Sequence, residues 1–221
     1  MYQGLELWPE FMQPQQLFIL LHGYGGQASD MVPLADRLKD EFPNAAFFLP
    51  DATFPFEGGG SGRQWYSNSG VTEENRPARV NEAMPVLFAL VSYAQNRFNV
   101  LQTDTAIAGF SQGANMALQF SVLHDGLVGR VLAFSGRFAA LPDKAPGLTT
   151  LHLLHGEEDS VISAEHAQAA HARLVQIEGD VTLDVIPGVG HEINALLSER
   201  AIHRLKTTIP KRSWNLAMKS A

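Results

Sequence analysis

The sequence predicts an α/β fold, with an open, mostly parallel sheet covered by helices on both faces, on three observations. Short continuous apolar runs recur along the 221 residues, as in strands buried on both sides. Stretches with helical apolar spacing alternate with them. Several of the runs end abruptly in glycine-rich turns that carry polar side chains, where binding sites of such sheets lie.

The first run, Gln16 to Leu21, ends in His22-Gly23-Tyr24-Gly25-Gly26. Ser29 or Asp30 is expected to cap a helix reaching about Phe42, with Met31, Leu34, Ala35 and Leu38 on its inner face. Ala45 to Leu49 gives a second strand. Residues 52 to 72 read as one long loop with Gly58, Gly59, Gly60 and Gly62, of a length that is usually functional. A helical pattern then runs from Glu73 to Phe98, and Pro85 inside it should kink or restart the helix.

Thr105 to Phe110 is the next strand and leads into a helix reaching about His124. Further strands are expected at Val128 to Phe134, Thr150 to His155 and, with alternating character, Val181 to Ile186. Helices fill Ser163 to Glu178, opened by a serine cap, and Glu192 to Thr208, stopped by Pro210 before a short tail. No segment reads as a linker or a repeat, so one domain is expected over residues 1 to 221.

Composition narrows the partners. A formal charge of −7 disfavours nucleic acid and acidic lipid surfaces. With no cysteine there is no disulfide, thiolate metal site or cysteine nucleophile. The first ten residues lack the basic and apolar regions of a signal peptide, and no apolar run approaches a membrane span. A cytoplasmic protein is the expectation, as monomer or homodimer.

The chemistry gathers at Gly109-Phe110-Ser111-Gln112-Gly113, between a strand and a helix. In that setting G-x-S-x-G is a nucleophile elbow, a strained turn that lifts the serine oxygen above the sheet. The alternative is a buried serine capping an ordinary turn. A serine hydroxyl becomes a nucleophile only when a neutral imidazole takes its proton, and the imidazole needs a carboxylate to fix its tautomer. The strand ending in Gly156-Glu157-Glu158-Asp159 offers that acid, with Asp159 preferred and Glu157 and Glu158 as rivals. The strand ending in Pro187-Gly188-Val189-Gly190-His191 offers the base, His191. The order Ser, Asp, His is that of α/β-hydrolases.

Oxyanion donors are expected at the backbone N–H of Gln112 and, from the early turn, Tyr24. Their side chains should then matter little to that stabilisation. Trp65 and Tyr66 either line a substrate pocket or pin the long loop to the core. His22 and His155, each before a glycine at a strand end, read as structural. The spacing of His166 and His171 does not stack ligands on one helix face, and no metal site is expected.

Leu21-His22-Gly23-x-Gly25, the serine pentapeptide, Gly156-x-x-Asp159 and Gly190-His191 together resemble the phospholipase/carboxylesterase family, the acyl-protein-thioesterase-like α/β-hydrolases. Gly62 to Ser67, Thr72 to Arg76, Ala78 to Val80 and Thr208 to Lys211 narrow the likeness to a bacterial esterase branch. The resemblance implies an α/β-hydrolase fold without a large lid, no cofactor, and hydrolysis of small, short-chain acyl esters. It carries nucleophile, acid and base onto Ser111, Asp159 and His191, and oxyanion donors onto Tyr24 and Gln112. Gly26 and Ile162 stand where many members have aspartate and proline, which bears on substrate preference. The rivals are a thioesterase or lysophospholipase with the same triad and, from another class, a silent ligand-binding module on the same fold.

Overall fold

A computed structural model of the protein describes residues 3–10 and 13–219, and at 214–216 and 219 the backbone alone. In chain order the strands are β1 (Gly4–Leu7), β2 (Gln16–Leu21), β3 (Ala45–Pro50), β4 (Phe54–Pro55), β5 (Arg63–Gln64), β6 (Thr105–Phe110), β7 (Arg130–Phe134), β8 (Thr150–Gly156) and β9 (Val181–Ile186). The helices are α1 (Val32–Glu41), α2 (Arg76–Phe98), α3 (Gln112–Leu123), α4 (Glu165–Gln176), α5 (Ala195–Thr207) and α6 (Lys211–Lys219).

Seven strands form one sheet in the order β1-β3-β2-β6-β7-β8-β9. β1 runs antiparallel to β3, and every other pairing is parallel. β2, next to the centre, alternates its buried side chains between two cores: Leu17, Ile19 and Leu21 face the side covered by α2, α3 and α4. Phe18 and Leu20 face the side covered by α1 and α5. A strand with both faces buried has no polar positions to spare, which is why these segments are continuous apolar runs. Each fully buried Leu or Ile contributes roughly 1.5–3 kcal/mol.

Local expectations and structure part in several places, among them late starts of β7 at Arg130 and α5 at Ala195. Neither Ser29 nor Asp30 caps α1: a 3-10 turn at Ala28–Met31 leads into it, and Pro33, in the first turn, uses its missing N–H where the helix has no need of one. Residues 52 to 72 are not structureless; β4 and β5 pair as a short hairpin inside them. α2 begins at Arg76 rather than Glu73 and continues through Pro85, whose position is solvent-exposed. β9, at the sheet edge, has all six residues half-buried rather than alternating. The tail beyond Pro210 is helical, as α6. The N-terminal segment supplies β1, tied down by Glu6, which accepts hydrogen bonds from Tyr93 (3.0 Å) and Arg97 (3.1 Å).

Among the described residues no helix is long and apolar enough to cross a membrane.

Candidate active site

Ser111 sits between β6 and α3 with φ 54° and ψ −114°, a conformation that L residues adopt only under strain costing roughly 1–3 kcal/mol. The turn is held by the Ser111 N–H donating to the Phe134 carbonyl (2.9 Å) and by the Asn115 N–H donating to the Ser111 carbonyl (3.0 Å). The two flanking glycines are a packing necessity. A Cβ on Gly109 would lie 2.3 Å from the Gly113 carbonyl oxygen, and one on Gly113 would lie 2.3 Å from that of Leu21. The elbow therefore closes only with hydrogen at both positions.

His191, on the loop after β9, reaches this turn. Its Nε2 lies 3.0 Å from Ser111 Oγ and its Nδ1 lies 2.7 Å from Asp159 Oδ2. The carboxylate can only accept, so Nδ1 carries the proton and Nε2 is free to accept from the serine hydroxyl. The ring also leans on Phe110, 4.9 Å between centroids. Asp159 is buried just beyond β8, and its Oδ1 accepts the N–H groups of Val161 (2.9 Å) and Ile162 (2.8 Å). Burial pushes its carboxyl up, but the hydrogen bonds from His191, Ile162 and Val161 together outweigh it and hold the group below its ordinary range. Glu157 and Glu158 are solvent-exposed.

His155 Nε2 lies 2.7 Å from the Ile162 carbonyl and 3.2 Å from Asp159 Oδ2, so one N–H serves both the acid and the loop behind it. Burial lowers the His155 pKa, keeping the ring neutral. His22 is also buried and lowered for the same reason. Its Nδ1 donates to the Gly23 carbonyl (2.7 Å), and its Nε2 accepts from the Ala52 N–H (3.0 Å). It thereby fixes the turn containing Tyr24 to the end of β3.

Ser111, Tyr24 and Gln112 line one cavity of about 250 Å³. Gln112 opens α3, where the helix has no partner of its own for the N–H. Its side chain is occupied: Oε1 accepts from the Trp65 N–H (2.8 Å) and Nε2 donates to the Tyr66 carbonyl (2.8 Å). The Tyr24 hydroxyl donates to Glu57, and burial, then that carboxylate, push its pKa up to about 12. Glu57 also accepts from Ser67 Oγ (2.6 Å) and the Asn68 N–H (2.9 Å), gathering the hairpin loop. Those hydrogen bonds, that of Ser67 foremost, take its carboxyl down to about 2.

The two aromatic candidates separate. Tyr66 faces the Ser111 cavity, and its hydroxyl accepts from Asn115 Nδ2 (3.0 Å). Trp65 is 2% exposed, and its Nε1 donates to the His22 carbonyl (2.9 Å). It lies in the core and pins the loop, so the structure does not place it on that cavity's wall.

The same cavity has walls to which the sequence assigned no part in the site: Asn115, Arg76, Arg137 and His166, the last weighed only as a metal ligand. Asn115 lay in plain view one turn past Ser111, and Arg76 inside the quoted Thr72 to Arg76 segment. Nothing local marked Arg137. A second cavity of about 510 Å³ lies on the other side of the relay, lined by His191, Phe110, Met31, Leu34 and Ile193 among others. Among the described residues no group of three or more His, Asp or Glu side chains is arranged to hold a metal ion.

The sheet order, the strained serine after β6 and the hydrogen-bonded serine–histidine–aspartate relay define an α/β-hydrolase. A family model described as Phospholipase/Carboxylesterase matches residues 8–209. Over 204 residues the chain is 42% identical to Esterase YpfH of Escherichia coli, covering 92% of this chain and 88% of that protein. It is 25% identical over 211 residues to Acyl-protein thioesterase 1 of Eremothecium gossypii, 87% of each. Among solved structures, esterase PE8 superposes with a TM-score of 0.86 at 28% identity, over 94% of this chain and 99% of that one. The chain belongs to the phospholipase/carboxylesterase family and is a carboxylic ester hydrolase.

Proposed function

We propose that the protein hydrolyses small, short-chain acyl esters through an acyl-enzyme on Ser111. The observation that carries the reading is the relay itself, Oγ to Nε2 at 3.0 Å and Nδ1 to Oδ2 at 2.7 Å, ending on a serine held in a strained elbow. His191 Nε2 takes the hydroxyl proton as Oγ bonds to the ester carbonyl carbon. Charge moves to the carbonyl oxygen, where the Tyr24 and Gln112 N–H groups receive it; losing one such donor costs about 10²–10³ in turnover. As the tetrahedral species collapses, the C–O bond to the alcohol breaks and His191 returns the proton to the departing oxygen. Water then repeats the sequence on the acyl-serine, releasing the carboxylic acid and restoring Ser111. Asp159 holds the Nδ1–H tautomer throughout.

Because His191 protonates the leaving oxygen, the alcohol belongs on its side, toward Phe110, Met31 and Leu34. The acyl group then occupies the cavity beside Ser111 and Tyr66. At about 250 Å³ that cavity is below the roughly 300–1,000 Å³ usual for ligand pockets, which favours short chains.

The test is turnover of p-nitrophenyl esters from acetate to palmitate by the wild type and Ser111→Ala. The expected result is a loss of about 10³-fold or more in the variant and an optimum at short chains. Equal rates would remove Ser111 from the mechanism, and a long-chain optimum would remove the short-acyl reading. The likeness to an acyl-protein thioesterase favours one further reading, the same steps on a thioester. Matched oxygen and thiol esters of butyrate separate the two.

A further inference from the structure

The wall of the cavity beside Ser111 carries two cations among Val161, Ile162, Tyr24 and Tyr66, where a pocket for a plain acyl chain has no use for charge. Arg76, at the start of α2, and Arg137, after β7, both line it, with side chains 19% and 15% exposed. Glu73 bridges them from outside, its own side chain 62% exposed. Arg137 holds Glu73 with both terminal nitrogens, Nη1 at 3.2 Å and Nη2 in a shorter contact, and Nη1 also donates to His166 Nε2 (3.2 Å). Arg76 makes one hydrogen bond to the same carboxylate, Nη2 to Oε1 at 3.1 Å. Its Nε is buried with no hydrogen-bond partner.

The charges do not cancel. The Arg137 hydrogen bonds, then those of Arg76, hold Glu73 ionised, while burial and the charge of Arg137 keep His166 neutral. Two guanidinium groups against one carboxylate leave one net positive charge on the wall, in a chain whose total is −7. Arg137 already grips Glu73 with two nitrogens, so the surplus falls on Arg76. Arg76 also faces the Tyr66 hydroxyl, but its Nε has no partner, the kind of opening that an anion-binding wall needs and a structural ion pair does not.

From this arrangement we propose that the preferred acyl group carries its own carboxylate, so that the substrate is a half-ester of a short dicarboxylic acid, its free carboxylate meeting Arg76 and Arg137. The inference rests on the acyl placement proposed above. A methyl-terminated chain would take water from the guanidinium groups and return nothing. A carboxylate replaces that water with charge-assisted hydrogen bonds, which are about twice as strong as neutral ones.

The experiment measures kcat/KM by pH-stat for length-matched pairs: monoethyl succinate against ethyl butyrate, monoethyl glutarate against ethyl valerate, and monoethyl adipate against ethyl caproate. The wild type is expected to prefer the half-ester by about tenfold or more in at least one pair. That ratio should fall at least about fivefold in Arg76→Gln and in Arg137→Gln, and recover in part in Arg76→Lys, which keeps the charge. A carboxylate moved to the alcohol half, as in 3-(butanoyloxy)propanoate, should bring no such gain.

A wild-type ratio below about tenfold in every pair overturns the inference, and needs no variant to be folded. So does a preference that survives both glutamine variants, or one found only with the alcohol-side carboxylate. Hydrolysis of the neutral esters without preference leaves the serine mechanism standing. Failure of the wild type on every ester, or full activity in Ser111→Ala, would instead overturn that mechanism.

Discussion

Asp159 divides its two carboxylate oxygens between two tasks. Oδ1 takes the N–H groups of Val161 and Ile162, which fix the carboxylate to its own loop, and Oδ2 takes His191 and His155. These bonds keep the group ionised to below the ordinary carboxylate pKa, so it remains an acceptor wherever the enzyme is folded near neutrality. An asparagine there would offer an amide N–H to the imidazole in some orientations and favour the wrong tautomer. Asp159→Asn is therefore expected to lower kcat by roughly 10³ to 10⁴ on p-nitrophenyl butyrate, with the fold retained by circular dichroism. A loss below about tenfold would take the role away from Asp159 and return it to Glu157 or Glu158. The three relay residues were legible in the sequence because each ends a strand at the same sheet edge. The Arg137 contribution was not, since its partner Glu73 is 64 positions away and only the folded chain joins them.

At the scale of elements, the join between α3 and the hairpin loop matters most. The sequence assigns oxyanion stabilisation to the Gln112 backbone N–H, with little part in it for the side chain, and is silent on what else that side chain does. The side chain is buried and clamps the backbone of Trp65 and Tyr66 with two hydrogen bonds of 2.8 Å. Gln112→Ala leaves a buried N–H and a buried carbonyl unpaired, each costing about 1–3 kcal/mol. For a chain of this size, each kcal/mol lowers Tm by roughly 2–4 °C, so the two together should lower it by about 4–24 °C in differential scanning calorimetry. Turnover should drop as well, because Tyr66 and Tyr24 both depend on that loop. An unchanged Tm would mean that the loop is held mainly by Glu57 and the Trp65 ring. The sequence showed a long loop but not its hairpin, because the order comes from side-chain acceptors scattered over it, Glu57 above all, and not from any periodic apolar pattern. β1 escaped for a similar reason: Gly4 to Leu7 is short, with no fully buried residue, and its register is set by β3 and by Glu6 meeting Tyr93 and Arg97.

For the whole molecule, the central strands were legible because burial on both faces leaves only apolar residues, and that constraint acts locally. A few polar side chains, Thr105, Thr150, His152 and His155, are buried in these strands all the same, and one has a global consequence. His152, in the middle of β8, is fully buried between Arg130 and Thr182. Arg130 Nη1 can only donate, so Nε2 (3.0 Å) accepts and Nδ1–H donates to Thr182 Oγ1 (2.8 Å). Burial first, then the charges of Arg130 and Arg204, lower its pKa to about 3. The unfolded chain takes up this proton near pH 6.5 and the native state does not, so stability is full above that value and falls as pH drops from 6.5 toward 3. His22 and His155, lowered by burial, act in the same direction. Asp159 adds to the acid loss only below about pH 4, where a lowered carboxyl ceases to favour the native state. Between pH 7.5 and 5.0 the His152 contribution amounts to about 2 kcal/mol. His152→Gln keeps a donor and an acceptor without the titration. Urea unfolding at the two pH values should therefore show a pH-dependent loss smaller by about that amount in the variant, whatever its absolute stability. An identical loss in both proteins would show that His152 takes up its proton in the native state as readily as in the unfolded chain, and would place the acid sensitivity of the fold elsewhere.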